Sequence, residues 1–132
     1  MEREQVEKIK RVIATHPEIK LAYLFGSRAT GDIGPMSDYD FAFYMDGIDS
    51  KQRFDLRLKL DHELSHILQV DMVDIVVLND AEKPELKHAV ITDGIVLHEE
   101  EPYRLMVEPR ILNQYFDFNE TLRRYDPRHY AL

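Results

Sequence analysis

Gly26-Ser27, followed after ten intervening residues by Asp38-Tyr39-Asp40, joins residue types that grip phosphate to residue types that hold a cation. Gly26 has no Cβ, so a polyphosphate can approach its backbone closely. The Ser27 hydroxyl and neighbouring N–H groups can donate to phosphate oxygens, and Arg28 adds positive charge there. On a strand, residues two apart share a face, so Asp38 and Asp40 project together while Tyr39 projects oppositely. Two adjacent carboxylates repel unless a cation neutralises them, and their hard oxygens suit Mg²⁺ carrying a nucleotide's phosphates. A two-metal version of such a site would space its ions by roughly 3.5 to 4 Å. The bland alternative makes Gly26-Ser27 a turn and the two aspartates solvated loop residues, yet composition alone yields this spacing with a frequency on the order of 10⁻³.

The surrounding pattern supplies elements to position these residues. Ile19 to Phe25 is a short apolar run ending at the Gly-Ser pair, and Asp38 to Met45 carries Phe41, Phe43 and Met45 on one face. The aspartates share the opposite face with Ala42 and Tyr44. Val6, Ile9, Val12 and Ile13 mark a first helix that stops near Thr15-His16-Pro17. Asp49 or Ser50 opens a long helix to about Gln69, with Leu56, Leu60, Leu64, Ile67 and Leu68 along one side. A third strand is expected over Asp71 to Leu78, a short helix over Pro84 to Val90 and an edge strand over Ile95 to His98. The expected fold is α/β (α+β), a small mixed sheet with helices packed mainly on one face and the other partly open for nucleotide.

LFGSRATG followed by SDYDFAF resembles the signature of the DNA polymerase β-type nucleotidyltransferases, specifically the minimal nucleotidyltransferases. The likeness extends over roughly residues 5 to 100, through Val73-Asp74-Ile75-Val76-Val77-Leu78, Leu86 and Asp93-Gly94-Ile95-Val96-Leu97. It implies that Gly26 and Ser27 hold the nucleotide phosphates, that Asp38 and Asp40 bind Mg²⁺, and that a carboxylate on a later strand completes the site. Asp71 and Asp74 compete for that third place. Asp74 shares a strand face with Met72, Val76 and Leu78, whereas Asp71 is in phase with Val73, Ile75 and Val77 at the strand's entry. An ionisable residue inside an apolar strand is costly without a partner, so Asp74 is the one that most needs a functional reason, and the family pattern also favours it.

Composition narrows the setting. A chain of 132 residues has room for one real core and not for two. It contains no cysteine, which excludes disulfide and thiol chemistry and fits a reducing compartment. The charged N-terminus and the lack of a long apolar run lead to the expectation of a soluble cytoplasmic protein with no membrane association. A formal charge of −8 argues against stable nucleic-acid binding, which depends on neutralising phosphates with Lys and Arg. Glu99-Glu100-Glu101 reads as a solvated turn before Pro102.

His62-Glu63-Leu64-Ser65-His66 matches the zinc-protease pattern H-E-x-x-H. The apolar stripe of that helix lies opposite His62 and His66, so both are expected to face solvent on a polar helix side. His16, His88, His98 and His129 belong to no constellation and read as surface residues. Past Glu108-Pro109, the positions Ile111, Tyr115, Phe118, Leu122 and Tyr125 form a helical seam, with Phe116, Tyr130 and Leu132 off it as an exposed contact surface. The chain is thereby divided into a core of residues 1–100 and a C-terminal helical extension of residues 101–132, packing on the core or on a partner.

Minimal nucleotidyltransferases typically act with a HEPN-domain partner, often as the antitoxin to a ribonuclease toxin, and some adenylylate a tyrosine of that partner. The resemblance therefore implies a Mg²⁺-dependent transfer of AMP from ATP to a hydroxyl of a HEPN-type toxin, within an oligomer formed with it. Two other functions compete: a non-catalytic antitoxin acting by stoichiometric binding, and a small-molecule nucleotidyltransferase. The complete carboxylate set favours catalysis, since binding alone does not need it.

Overall fold

The structure is a computed structural model, and it describes residues 2–26, 29 and 39–125. Its elements run α1 (Arg3–Ala14), β1 (Ile19–Phe25), β2 (Asp40–Met45), α2 (Ser50–Leu68), β3 (Asp74–Val77), α3 (Pro84–Asp93), β4 (Ile95–Glu99) and α4 (Tyr103–Tyr125). The strands form one mixed sheet in the order β3-β2-β1-β4. β1 is antiparallel to β2 and to β4, and β2 is parallel to β3. Among the described residues, no helix is long and apolar enough to cross a membrane.

Local chemistry accounts for the helix ends. Asp49 caps α2 by accepting from the Gln52 N–H while the Gln52 side chain accepts from the Asp49 N–H, a reciprocal box that satisfies two end groups. Gln69 closes the helix in the left-handed conformation. Along α2, Leu56, Leu60, Leu64 and Leu68 recur at one-turn spacing and are buried.

The sheet separates two apolar layers. On one face, Ile9 and Ile13 of α1 and the leucines of α2 meet Phe41, Phe43 and Met45. On the other, Val90 of α3 and Val107 and Ile111 of α4 meet Leu21, Tyr23, Ala42 and Leu78. The mixed sheet agrees with the sequence expectation, but the helices divide between both faces. On the face expected to stay partly open, α3 and α4 cover Leu21, Tyr23 and Ala42, because burying these requires an apolar cover, while the strand ends at Asp40 and Asp74 still line a cavity. A bulge between Ile19 and Leu21 adds to this division. Ile19 packs in the first layer and Leu21 in the second, which uninterrupted alternation would forbid.

Several local expectations are corrected. β3 begins at Asp74, later than expected, because the Val73 N–H bonds the Asp61 carboxylate at 3.2 Å instead of a strand. The last helix starts at Tyr103, six residues before Pro109, and runs through that proline. Pro109 removes the bond to the Leu105 carbonyl, and its ring crowds that same group. Leu105 is 79% exposed, so water can serve that carbonyl, while burial of Val107 and Ile111 holds the helix on either side of the break.

His16 is buried rather than superficial, 8% exposed, with its Nε2 3.1 Å from Glu63 Oε1. His88 stacks on Tyr115 with ring centroids 3.7 Å apart. The Glu99–Glu101 segment is not simply solvated: Lys20 pairs with Glu100 at 3.2 Å and Arg104 with Glu99 at 2.9 Å. Tyr130, Leu132 and His129 lie outside the described residues.

Candidate active site

β1 ends, and β2 and β3 begin, at the edge where the motif residues lie. Phe25 pairs with Asp40 across β1 and β2, and Asp40 pairs with Asp74 across β2 and β3. The two residues thus sit opposite each other on adjacent strands, whose backbones are spaced by roughly 4.8 Å. They share the sheet face of Ala42 and Val76, while Tyr39 is buried on the opposite face and stacks on Phe41. Tyr39 and Asp40 thus take the opposite faces expected of successive strand residues. Asp71 lies in a bend before β3, outside the strand.

The register is pinned at both ends. The Asp74 N–H donates to the Tyr39 carbonyl at 2.9 Å, and the Leu78 N–H to the Phe43 carbonyl at 2.8 Å. Asn79 clamps the far end: its Oδ1 accepts from the Met45 N–H at 2.9 Å and its Nδ2 donates to the Met45 carbonyl at 2.7 Å. At the near end, Asp61 of α2 accepts from both the Ser65 hydroxyl and the Val73 N–H, holding the residue before Asp74. A one-residue slip would turn Asp74 to the other face. Sequence reasoning missed Asp61 and Asn79, since nothing in their local pattern reveals a partner on another element.

Gly26 is required twice. Its φ is +75°, a region that side-chain-bearing residues rarely adopt, and a Cβ there would collide with the Asp40 carboxylate. The turn after β1 therefore presses its backbone against the acid. Ser27, Arg28 and Asp38, the other expected site residues, lie outside the described residues.

A cavity of about 390 Å³ opens beside the pair, lined among others by Phe25, Asp40, Arg57, Met72, Asp74 and Leu86. Among the described residues, no three His, Asp or Glu side chains gather as a metal site. Asp40 and Asp74 nevertheless supply hard oxygen donors from paired positions on adjacent strands, the donor type that would hold Mg²⁺. The donor chemistry fits that ion. The H-E-x-x-H residues do not converge: His62 and His66 are exposed on α2, and Glu63 turns to His16.

The family model described as "Polymerase beta, Nucleotidyltransferase" matches residues 7–103. Protein adenylyltransferase MntA of Aphanizomenon flos-aquae (strain 2012/KM1/D3) is 36% identical over 100 residues, covering 68% of this chain and 63% of that relative. The chain thus spans less than two thirds of that protein's length. Among solved structures, a toxin–antitoxin crystal structure with AMP-PNP matches with a TM-score of 0.71 at 25% identity, covering 95% of each chain. A structure of tri-AMPylated Shewanella oneidensis HEPN toxin in complex with MNT antitoxin matches with a TM-score of 0.70 at 24% identity and 95% coverage of each, a likeness of fold. With the mixed sheet, the glycine turn and the paired strand-end aspartates, the match over residues 7–103 shows that this chain belongs to the polymerase β nucleotidyltransferase family.

Proposed function

We propose that the chain is a Mg²⁺-dependent adenylyltransferase that moves AMP from ATP to a hydroxyl, a tyrosine by preference, of a partner HEPN-type toxin, and so acts as its antitoxin. The observation that carries this reading is the in-register pairing of Asp40 with Asp74 beside the Gly26 turn. The named activity of the MntA relative and the AMP-PNP in the matched toxin–antitoxin structure support the choice of nucleotide and of acceptor. The family match ends at residue 103, where α4 begins. That supports treating 101–132 as an extension on a core of 1–100.

On this reading, Gly26, Ser27 and Arg28 receive the triphosphate, and Asp38, Asp40 and Asp74 are the carboxylates that hold Mg²⁺. The ion, when bound, offsets the charge of the phosphates and of the acids around them. Asp74 accepts the proton of the acceptor hydroxyl. The acceptor oxygen bonds to the α-phosphorus, the bond from that phosphorus to the bridging oxygen breaks, and pyrophosphate leaves along Ser27. Transfer gains rate only with the acceptor oxygen roughly 3 to 3.5 Å from the phosphorus. A docked partner supplies that proximity.

The test incubates the purified chain with labelled ATP, Mg²⁺ and the product of its neighbouring gene as candidate HEPN-type partner, then weighs the partner. Wild type should add adenylyl mass and leave the partner silent after separation. Asp40→Asn and Asp74→Asn should lower transfer about 100-fold or more with folding intact, while Asp71→Asn should retain it. An unmodified partner, inhibited only while bound, would replace this reading with the binding-only antitoxin.

A further inference from the structure

β3 ends the sheet, and among the described residues its outer edge is not covered by another strand. The Asp74 and Leu78 N–H groups go to β2, so the alternation of a parallel ladder turns the backbone of Ile75 and Val77 outward. Both ends of that outward row are closed. Asp61 takes the Val73 N–H, and the Asp80 and Ala81 N–H groups take the Val77 carbonyl at 3.0 Å. Between them stand the N–H and C=O of Ile75 and the N–H of Val77, a pairing site about three groups long.

Proteins usually blunt such an edge with charge, proline or a cover. Here the flank is apolar. Phe54 and Leu58, one turn apart on α2, are 53% and 52% exposed, and Met72 at the strand's entry is 58% exposed. Phe54, Ile75, Val77 and Ala81 line a groove that also contains Arg57 and Val76. The cavity holding Asp40 and Asp74 shares Arg57, Ile75 and Val76 with it. The groove and the candidate active site are therefore one continuous depression. Asp80, which also lines the groove, is ion-paired with Arg53 at 2.8 Å. Arg57, at the junction, makes no ion pair among the described residues and is placed to donate to a guest's carbonyl groups.

We propose that the β3 edge is the docking track for the acceptor: an extended segment of the partner pairs its backbone with Ile75 and Val77. It sets an apolar side chain against Phe54 and Leu58, and carries its hydroxyl forward to Asp74. This rests on the adenylyl-transfer reading above. Three features select the occupant. Outward backbone groups call for a strand, not a helix. The apolar flank suits a peptide with alternating side chains. Continuity with the carboxylates makes that peptide the one to be modified.

The experiment uses the full chain and the product of its neighbouring gene as candidate HEPN-type partner. Hydrogen exchange should slow at the Ile75 and Val77 amides, by about tenfold or more, when the partner is added. Phe54→Glu should raise the KM for the partner about tenfold while leaving kcat at saturating partner and the Kd for an ATP analogue unchanged, and Phe54→Ala should do the same to a smaller degree. Asp40→Asn, run in parallel, should lose transfer yet keep the protection at residues 75 and 77, whereas retained transfer in that variant would defeat the site reading whatever the edge does. The docking track is overturned if those two amides exchange unchanged and the Phe54 variants keep wild-type KM. It is also overturned if protection appears only on the exposed Leu105 and Phe116 side of α4, or if the chain alone dimerises through β3 and protects the edge without the partner.

Discussion

A single missing Cβ decides how close the turn after β1 can come to Asp40. Gly26→Ala meets two obstacles, a positive φ and the Asp40 carboxylate, and such strain costs on the order of 1 to 3 kcal/mol. Relief requires moving either the turn or the acid. The variant should therefore lose adenylyl transfer in the labelled-ATP assay and also melt earlier. Full activity with unchanged melting would show that the turn has slack. Tyr23 is a second residue whose setting fixes its chemistry. Its ring is buried and its hydroxyl donates to Glu108 Oε2 at 2.6 Å. Burial first, and then the bond to Glu108, push its pKa well above the ordinary range for tyrosine. Glu108 also accepts from Arg104 at 2.9 Å, so β1 is tied to α4 through one carboxylate.

At the scale of elements, α2 performs three tasks with three sides. Its leucines fill the first core layer, Asp61 fixes the entry to β3, and Phe54 and Leu58 flank the open edge. The remaining side carries His62 and His66, exposed and apart from the acids. Replacing both by Gln should leave transfer intact and shift stability by no more than about 0.5 kcal/mol. Zinc bound one-to-one in the purified chain, lost from the double variant along with activity, would contradict that. α4 is held along its first half by Val107, Ile111, the Tyr23–Glu108 bond and the Tyr103 hydroxyl on Asp46 at 2.5 Å. This explains how the helix tolerates Pro109.

Across the whole molecule, the shifted groups define a pH window. Asp46 is held below the usual carboxylate range first by the Tyr103 hydroxyl, Asp80 by its hydrogen bond from Arg53, and Glu100 by Lys20. Lowered carboxylate values stabilise the fold above the ordinary range near 4, and that contribution disappears as pH falls through the folded values. Tyr23 works in the other direction. Its raised value favours the folded state fully below the ordinary tyrosine range near 10, and the benefit is lost as pH rises through the folded value. The thermal midpoint should be level from about pH 5 to 9 and fall on both sides. Tyr23→Phe should weaken the alkaline fall and leave the acid one; an alkaline limb that persists unchanged would assign it elsewhere.

Local pattern by itself located most elements. The apolar run of β1 has both its ends at the expected residues, and the leucine spacing with the Asp49 cap delimits α2, because each signal lies within one element's own repeat. The same alternation correctly sent Tyr39 and Asp40 to opposite faces, and the Gly-Ser and Asp-x-Asp spacing indicated the family before any fold was known. Which acid stands beside Asp40 was only a preference in the sequence. The geometry came from the β2–β3 register, pinned by Asn79 and Asp61 from distant positions. Tertiary pairing likewise buried His16 against Glu63, laid α3 and α4 over part of the face that carries Asp40 and Asp74, and carried α4 through a proline. Periodicity records how one segment divides between core and water. Register, cover and partner choice are properties of pairs of segments far apart in the chain, so they become fixed only when those segments meet.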